Sequence, residues 1–323
     1  MIRTSFTAAI TGATGFIGRH VAAELASRGV AVTSIVRPGS RHAPPPDTKV
    51  VYAPLEAAAL RAAFAGVDAV VHLAGVVAAV DARTFAAVNA EGTRAVATAA
   101  RDAGARLVHV SSLAAAGPAP RSAPHREDDV PPPVTPYGAS KLESEEIVKA
   151  TGGLRWIVLR PGVVYGPTDR AVFPLFQAGQ RGVLPLVGRP GAAYTFIYVD
   201  DVVRTIVAAV EKTGAAGTVF VGHPVPVSSS DVLDAIQAAI GREARVIPVP
   251  LALTYVAAVA ADVAGRVLRK PMPLNLWRYA ELAAEGFVCH VDRMRDDLGV
   301  VASIDLREGM AQTATWYRDA GWL

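Results

Sequence analysis

Thr11-Gly-Ala-Thr-Gly-Phe-Ile-Gly18 is a glycine-rich turn close to the start of this chain. It joins an apolar segment with the character of a β-strand, Phe6–Thr11, to an amphipathic segment with the character of an α-helix, Phe16–Arg28. The G-x-x-G-x-x-G spacing permits a sharp turn and lets a pyrophosphate approach the backbone closely. The N-terminus of the helix would present free N–H groups and a partial positive charge to the same anion. The strand–turn–helix context therefore favours a dinucleotide-binding turn over an ordinary glycine-rich connection.

Strand-like and helix-like segments alternate downstream of this turn. The further predicted strands are Val30–Val36, Val50–Tyr52, Ala69–Leu73, Leu107–Ser111 and Leu154–Leu159. The predicted helices between them are Glu56–Phe64, Thr84–Asp102 and Tyr137–Ala150. Because parallel strands need crossover helices, this alternation predicts an α/β fold with a Rossmann-type doubly wound parallel sheet.

The pattern becomes less regular after Pro161, where prolines interrupt a glycine-rich region. Two later segments have the character of strands that return to the sheet, Phe196–Val199 and Thr218–Val221. Two others have the character of helices outside it, Ser230–Ile240 and Leu251–Leu268. We therefore expect a dinucleotide-binding domain over residues 1–161, to which residues 195–222 return. A smaller, discontinuous C-terminal substrate lobe would comprise mainly residues 162–194 and 223–323.

The composition limits the classes of protein that this sequence can form. The chain has 323 residues, of which 51% are hydrophobic and 19% charged, so global disorder is excluded. The net charge of +3 comes from interspersed charges and gives no indication of nucleic-acid binding. Cys289 is the single cysteine and the seven histidines are scattered, so neither an internal disulfide nor a metal site is expected. No secretory signal is evident, and we expect a cytoplasmic protein.

The residue after the second predicted strand bears on the choice of cofactor. An acidic side chain there would bind the ribose hydroxyls of NAD, but this chain has Arg37, followed by Arg41. A guanidinium suits a 2′-phosphate because it forms bidentate, charge-assisted hydrogen bonds. The sequence therefore favours NADP over NAD. A solvated Arg37, or one stacked on the adenine, stays open as the alternative.

A tyrosine and a lysine one helical turn apart, in Tyr137-Gly-Ala-Ser-Lys141, form a candidate catalytic pair. The i, i+4 spacing places both on one helix face. A free tyrosine has a pKa of about 10, and a neighbouring ammonium is expected to lower it and so promote proton transfer near neutral pH. Ser112 follows a predicted strand, so its hydroxyl would lie at the carboxyl edge of the sheet and could bond a substrate carbonyl.

These motifs occur in the same order in one protein family. The chain resembles the extended short-chain dehydrogenase/reductases, the NAD(P)-dependent epimerase/dehydratase group, over essentially its whole length. The segments that carry the resemblance are Thr11–Gly18, His72-Leu-Ala-Gly75, Asn89-Ala-Glu-Gly-Thr93, Ser111-Ser112, Tyr137–Lys141, Arg160-Pro-Gly-Val-Val-Tyr-Gly-Pro167, Phe196-Ile-Tyr-Val-Asp-Asp201 and Trp316-Tyr-Arg-Asp-Ala-Gly-Trp322.

The resemblance implies a role for each matching residue. Tyr137 would be the general acid/base, and Lys141 would bind the ribose and lower the tyrosine pKa. The family's catalytic Ser/Thr corresponds best to Ser112, with Ser111 as the second choice of register. The residues expected to contact the cofactor are Gly12, Thr14, Gly15, Phe16, Ile17, Gly18, Arg37, Leu73, Ala74, Gly75, Asn89, Ser111, Tyr137, Lys141, Pro161, Gly162 and Val164.

Departures from the family pattern indicate a branch. Sugar-nucleotide members carry an Arg-Asp pair where this chain has Tyr194 and Thr195, and an Asn where it has Gly162 or Val163. Pro54 stands where relatives have an Asp near the adenine. Together, Arg37, the missing diphosphate arginine and the unusually apolar second lobe make the chain similar to the dihydroflavonol-reductase and 3β-hydroxysteroid-dehydrogenase branches. They imply hydride transfer between the cofactor and a carbonyl or alcohol of a mostly apolar small molecule.

Other functions stay open from the sequence. The first alternative is an NAD-dependent sugar-nucleotide epimerase or dehydratase, in which another arginine holds the diphosphate. The candidates for that arginine are Arg170, Arg181, Arg189 and Arg278. A second alternative is a non-catalytic NADP-binding sensor. The longest apolar segment, Val249–Ala261, is too short and too interrupted to predict a membrane span. We expect it to belong to a buried packing helix; the alternatives are a wall of an apolar substrate pocket and attachment to a membrane surface through Leu251–Leu268. A homodimer is expected from the resemblance alone.

Overall fold

The computed structural model describes residues 6–323, and its secondary structure alternates as the sequence predicts. The strands are β1 (Thr7–Thr11), β2 (Ala31–Val36), β3 (Lys49–Tyr52), β4 (Ala69–His72), β5 (Arg106–Val110), β6 (Trp156–Pro161), β7 (Val163–Tyr165), β8 (Val183–Leu186), β9 (Ala193–Tyr194), β10 (Phe196–Tyr198), β11 (Gly217–Val221), β12 (Val227–Ser228), β13 (Arg245–Pro248) and β14 (Gly286–Phe287). The α-helices are α1 (Phe16–Ser27), α2 (Ala57–Ala63), α3 (Ala82–Phe85), α4 (Gly92–Asp102), α5 (Pro136–Ala150), α6 (Phe173–Gln180), α7 (Val199–Glu211), α8 (Ser229–Ile240), α9 (Leu251–Leu268), α10 (Leu276–Ala283), α11 (Asp292–Asp296) and α12 (Leu306–Asp319).

Seven parallel strands form the central sheet, in the order β3-β2-β1-β4-β5-β6-β11. The chain winds outward from β1 in both directions, so the order reverses between β1 and β4. A crevice opens at such a reversal, at the carboxyl ends of the strands, and dinucleotides bind there in doubly wound sheets. The prediction of a Rossmann-type doubly wound sheet is confirmed.

Helices cover both faces of this sheet because alternate strand residues point to opposite sides. On one face Ile10 packs with Val21 of α1 and Val202 of α7. On the other face Ala9 packs with Leu60 of α2 and Val96 of α4. The resulting core is rich in alanine and valine, so helices and sheet approach each other closely.

Two predicted elements differ from the structure. We predicted that Phe196–Val199 returns to the sheet, but β10 covers Phe196–Tyr198 and pairs with β7 in a separate two-stranded sheet. Only β11 joins the central sheet from this part of the chain. The predicted helix Thr84–Asp102 is interrupted by a π-helical segment, Ala86–Glu91. Such segments occur frequently at functional sites, and this one carries Asn89.

The later part of the chain forms smaller sheets, β12-β9-β14 and β13-β8, together with α6 and helices α8 to α12. The division into a cofactor domain and a substrate lobe stays a prediction.

The expectation that Val249–Ala261 belongs to a buried packing helix is wrong. It lies mostly in the helix predicted over Leu251–Leu268. The segment is helical over the predicted range, as α9, but only 17% of its residues are buried. By length and composition alone, this helix, with a mean hydropathy of 1.6, is the one among residues 6–323 that could cross a membrane.

Candidate cofactor and active site

The glycine-rich turn is packed against the backbone that follows β4. Gly12 has φ of +75°, and a Cβ added there would lie 2.6 Å from the backbone nitrogen of Ala74. A Cβ on Gly18 would lie 2.2 Å from the carbonyl oxygen of Gly12. Side chains are therefore excluded at both positions, because they would push the turn away from β4 and from α1.

The N-terminus of α1 is left free to bind an anion. Gly15 precedes the helix and supplies no capping side chain, and the first turn, which includes Phe16 and Ile17, contains no acidic residue. No residue between positions 6 and 323 accepts from the first N–H groups of α1, which lie at the positive end of the helix dipole. A Cβ on Gly15 would meet only the carbonyl oxygen of Gly12, at 3.2 Å, so the outer side of the turn is open. These features fit the pyrophosphate of a dinucleotide.

Arg37 is the first residue after β2, at the carboxyl edge of the sheet beside the glycine-rich turn. Its side chain is exposed and forms no ion pair with any residue between positions 6 and 323. A guanidinium held at this edge without a protein partner remains available for an anionic ligand.

Asn89 supports the loop after β4 instead of facing the crevice. Its amide oxygen accepts from the backbone nitrogen of Val76 at 2.8 Å. Its amide nitrogen donates to the carbonyl oxygen of Val76 and to the hydroxyl of Ser140, each at 3.0 Å. These contacts link the π-helical segment, the loop that carries Leu73–Gly75 and α5. Asn89 would therefore act on a cofactor through that loop.

Tyr137 lies in the first turn of α5, just after Pro136 at the start of the helix. Thr135 caps the helix by accepting from the backbone nitrogen of Gly138 at 3.1 Å. Burial raises the pKa of the Tyr137 phenol, the Ser112 hydroxyl lowers it through a side-chain hydrogen bond, and the negative charge of Glu281 raises it. Ser112 and Tyr137 are thus brought together as the sequence predicts.

Lys141 is buried one turn further along α5. Its Nζ donates to the carbonyl oxygen of Val110 at 2.9 Å. Burial lowers the pKa of Lys141 to about 8, and the charge of Glu145 opposes this shift. We predicted that Lys141 lowers the pKa of Tyr137, but the structure gives a raised pKa for Tyr137. The reason is that burial of the phenol dominates, while the ammonium is held against Val110.

The two adjacent serines at the end of β5 have different surroundings. The Ser111 hydroxyl donates to Glu145 at 2.5 Å and points into the protein. Glu145 also forms a buried ion pair with Arg160, with 2.7 Å between Oε2 and Nη2. The Ser112 hydroxyl accepts from the backbone nitrogen of Ala114 at 3.1 Å. Its hydrogen faces Tyr137, whose pKa it lowers, so Ser112 and not Ser111 lies in the site, which favours the Ser112 register.

A pair of buried histidines that the sequence did not predict lies beneath the site. His72 on β4 and His109 on β5 stack with ring centroids 5.3 Å apart. His72 contacts the hydroxyls of Thr11 at 2.6 Å and Thr93 at 2.9 Å. Burial lowers the pKa of His72 to about 3 and that of His109 well below its usual value, with Lys141 adding to both shifts. Both rings are therefore neutral at pH 7. His72 and His109 are paired in register on the neighbouring strands β4 and β5, and the sequence alone does not reveal that pairing.

The segment after β6 is packed tightly against β9 and β10. Gly162 donates its N–H to the carbonyl oxygen of Val221 at 2.9 Å, and a Cβ there would lie 2.2 Å from the carbonyl oxygen of Thr195. The packing fixes the path of Pro161–Val164 at the carboxyl end of the sheet. Thr195 is buried, and its Oγ1 accepts from the backbone nitrogen of Cys289 at 3.2 Å.

Aromatic side chains pack beside Tyr137. The Phe85 ring lies 6.0 Å from the ring of Tyr137, and Trp277 of α10 lies 5.7 Å from Phe85, both measured between centroids. Glu281 follows one turn after Trp277 and pairs with Arg278 at 2.9 Å. These residues are distant from Tyr137 in sequence, and the amphipathic pattern of α10 gave no indication of which side chains would reach it.

Comparison with known proteins places the chain in a family. The model of the NAD dependent epimerase/dehydratase family matches residues 8–222. A ceramide reductase from Caulobacter vibrioides is 32% identical over 321 residues, which cover 98% of this chain and 95% of the relative. A sterol demethylase protein B from Methylococcus capsulatus is 27% identical over 335 residues, which cover 98% of this chain and 100% of the relative.

Solved structures share the fold. A UDP-glucose 4-epimerase from Thermus thermophilus, solved in complex with NAD, superposes with a TM-score of 0.77. The match covers 98% of this chain and 100% of that chain at 24% identity.

Proposed function

The chain belongs to the NAD-dependent epimerase/dehydratase family, an NAD(P)-dependent oxidoreductase superfamily, and on this premise we propose that it reduces a carbonyl group of a largely apolar small molecule. The observation that carries the proposal is the aromatic packing beside Tyr137, where the buried Phe85 ring contacts the tyrosine and the half-buried Trp277 packs on Phe85. Aromatic rings bind apolar substrate through buried area, whereas the negative charge of Glu281 near the phenol disfavours an anionic one.

The surroundings of the site argue against a sugar diphosphate. A cation opposite two phosphates would contribute charge-assisted hydrogen bonds, each of about 1.5–3 kcal/mol. Arg278 already pairs with Glu281, Arg189 pairs with Glu285, and Arg170 stacks over Trp322. A fourth candidate, Arg181, lies after α6 with its side chain exposed. Three of the four arginines that would replace the missing family arginine therefore already have a protein partner.

Each residue of the site has a distinct task in the proposed reaction. The nicotinamide, when bound, supplies the hydride for the carbonyl carbon. Ser112 donates a hydrogen bond to the carbonyl oxygen and orients it. Tyr137 transfers its phenolic proton to that oxygen, so the product is the neutral alcohol. Lys141, whose Nζ lies at the end of β5 where it donates to the carbonyl oxygen of Val110, binds a ribose hydroxyl of the cofactor.

The proposed cofactor is NADP, with NAD as the weaker ligand. Arg37 would form charge-assisted hydrogen bonds to a 2′-phosphate, since it lies next to the glycine-rich turn and has no ion-pair partner within residues 6–323. The relatives give further support, because ceramides and sterols, named in two of them, are apolar molecules.

The test is stoichiometric hydride transfer. The purified chain is mixed with NADPH and either a 3-oxosteroid or a long-chain 3-oxoamide, or with NADPH, NAD⁺ and UDP-glucose, and NADPH loss, alcohol formation and epimer formation are measured together. We expect one alcohol per NADPH consumed with an apolar ketone and no epimer from UDP-glucose. Epimerisation of UDP-glucose without net NADPH loss would overturn the proposal in favour of the sugar-nucleotide activity.

A variant separates catalysis from cofactor binding. Tyr137→Phe removes the proton donor, so turnover should fall by about 10²- to 10⁴-fold while NADPH binding is retained. Tyr52→Phe is the matched control, since this tyrosine is exposed at the end of β3. Unchanged turnover in Tyr137→Phe would refute the assigned role. Ligand-dependent partner binding without turnover of any carbonyl substrate would favour the sensor instead.

A further inference from the structure

The outward face of α9 is a continuous apolar stripe. Leu253, Val256, Val263 and Val267 are 60%, 62%, 57% and 76% exposed, and Ala260 is exposed between them. Their spacing alternates between three and four residues, which places all five on one side of the helix.

The inward face of the same helix carries small residues. Thr254, Ala258 and Gly265 are buried, and a Cβ on Gly265 would lie 3.0 Å from the carbonyl oxygen of Lys270. A core helix of a globular protein has the opposite arrangement, with large apolar residues inward and polar ones outward. The pattern of α9 therefore favours a partner on its outer side that is itself apolar.

Both ends of α9 are fixed to the same body. At its start, Val249 donates its N–H to the carbonyl oxygen of Leu186 at 2.9 Å. Beyond its end, the chain turns back so that α10 packs along α9, with the rings of Tyr255 and Tyr279 5.2 Å apart. A helix of 18 residues is about 27 Å long, slightly less than a hydrocarbon core. This arrangement suits a helix that lies in the plane of a membrane rather than one that crosses it.

The charges near the C-terminal end of α9 select the type of membrane. Arg266, Arg269 and Lys270 are all exposed. Asp262 is the single acidic residue of the helix and pairs with Arg266 at 2.7 Å. This end is therefore net positive, which complements a surface of anionic phospholipid.

We propose that α9 docks the protein on an anionic phospholipid bilayer, with its apolar stripe inserted at the boundary between headgroups and acyl chains. The docked face continues toward the catalytic site, since α10 packs on α9 and carries Trp277, which contacts Phe85 beside Tyr137. A membrane-dissolved substrate would reach Tyr137 along this path. The delivery of substrate rests on the proposed reductase function, whereas docking itself does not.

Co-sedimentation of the full chain with vesicles tests docking. Vesicles contain phosphatidylcholine alone or with about 30% phosphatidylglycerol. We expect binding to the anionic vesicles and at least about tenfold less in the double variant Val256→Asp, Val263→Asp. The matched control is Val130→Asp with Val225→Asp, because both valines are exposed outside α9. Replacing Arg269 and Lys270 by glutamine should reduce the preference for phosphatidylglycerol.

Several outcomes would overturn docking. The first is that the wild-type chain sediments with neither kind of vesicle. The second is that the α9 double variant sediments as much as the control double variant. The third is that the wild-type chain binds no vesicles but forms a dimer in solution, which the α9 substitutions convert to a monomer. The last result would assign the stripe to a second copy of the chain. Circular dichroism melts establish that both variants are folded.

Substrate delivery from the membrane and reduction of the ketone can be tested independently. If the proposed delivery holds, the α9 variant loses turnover of a long-chain ketone presented in vesicles and retains turnover of a short, water-soluble ketone. Equal turnover of the vesicle-borne ketone by the α9 double variant and the control double variant would refute substrate delivery through α9. Absence of turnover with every ketone, in the presence of normal vesicle binding, would refute the reductase function and leave docking intact.

Discussion

Substitution Glu145→Gln tests the buried network behind Lys141, to which we assign the ribose contact. The Glu145 side chain is 0% exposed and that of Arg160 is 3% exposed. Three N–O contacts of 2.7, 2.9 and 3.2 Å join them, and Ser111 donates to the same carboxylate. The variant leaves the Arg160 guanidinium buried without a counter-charge, which destabilises proteins by about 3–5 kcal/mol. Because glutamine retains one acceptor oxygen, we expect the lower end of that range.

The same change has a functional consequence. Burial lowers the pKa of Lys141 to about 8, and the negative charge of Glu145 keeps this pKa from falling further. Without the carboxylate the pKa of Lys141 falls further, so the ammonium is lost at lower pH. The alkaline limb of the profile of kcat/KM against pH should therefore shift toward neutral pH.

Thermal melts and the pH profile are the assays. The control is Glu143→Gln, which lies on an exposed part of the same helix and has no ion pair within the described part of the chain. A Glu145→Gln protein with wild-type stability and an unmoved alkaline limb would refute the reasoning. A loss of stability alone would show that the network supports the fold but does not act on Lys141.

Three further predictions follow from charges in and around the site. Arg37→Glu should weaken NADPH binding by about 10- to 100-fold and NADH binding far less, as measured by fluorescence titration; equal losses would refute a contact with the 2′-phosphate. His72 and His109 are neutral when folded, so the unfolded state binds more protons below about pH 6.5. As the pH is lowered through this range, the free energy of unfolding should therefore fall by up to about 1.4 kcal/mol per pH unit for each ring. The variant His72→Gln should reduce this slope, which denaturant titrations at several pH values measure. Lys141→Met should abolish turnover yet stabilise the fold by up to about 3 kcal/mol below pH 8, an advantage that disappears as the pH rises toward 10.5.

Local patterns sufficed to predict the glycine-rich turn, the parallel sheet and the helix that carries Tyr137 and Lys141. The glycine-rich turn, the parallel strands and the pair Tyr137 and Lys141 are each contained in a short segment with a fixed geometry. The proximity of Glu145 to Lys141 could also have been predicted, because Glu145 lies four residues after Lys141 and faces the same side of α5.

Features that depend on long-range packing were not accessible from the sequence. Burial reverses the expected direction of the Tyr137 pKa, and no local pattern reports that burial. Strand β10 has the composition of a sheet strand but pairs with β7, which only the tertiary structure defines. Helix α9 is apolar on both faces, so periodicity cannot tell which face is covered; the small residues Ala258 and Gly265 turned out to face inward.

The identity of the nucleotide bound to freshly purified protein tests the central claim most directly. A reductase must exchange its cofactor at every turnover, whereas an epimerase retains NAD through an internal oxidation and reduction. The protein is denatured, and the released nucleotide is identified and counted by mass spectrometry. We predict little nucleotide, and NADP rather than NAD where any is found. One NAD for each chain, retained through dialysis, would contradict both the role of Arg37 and the assignment as a net reductase.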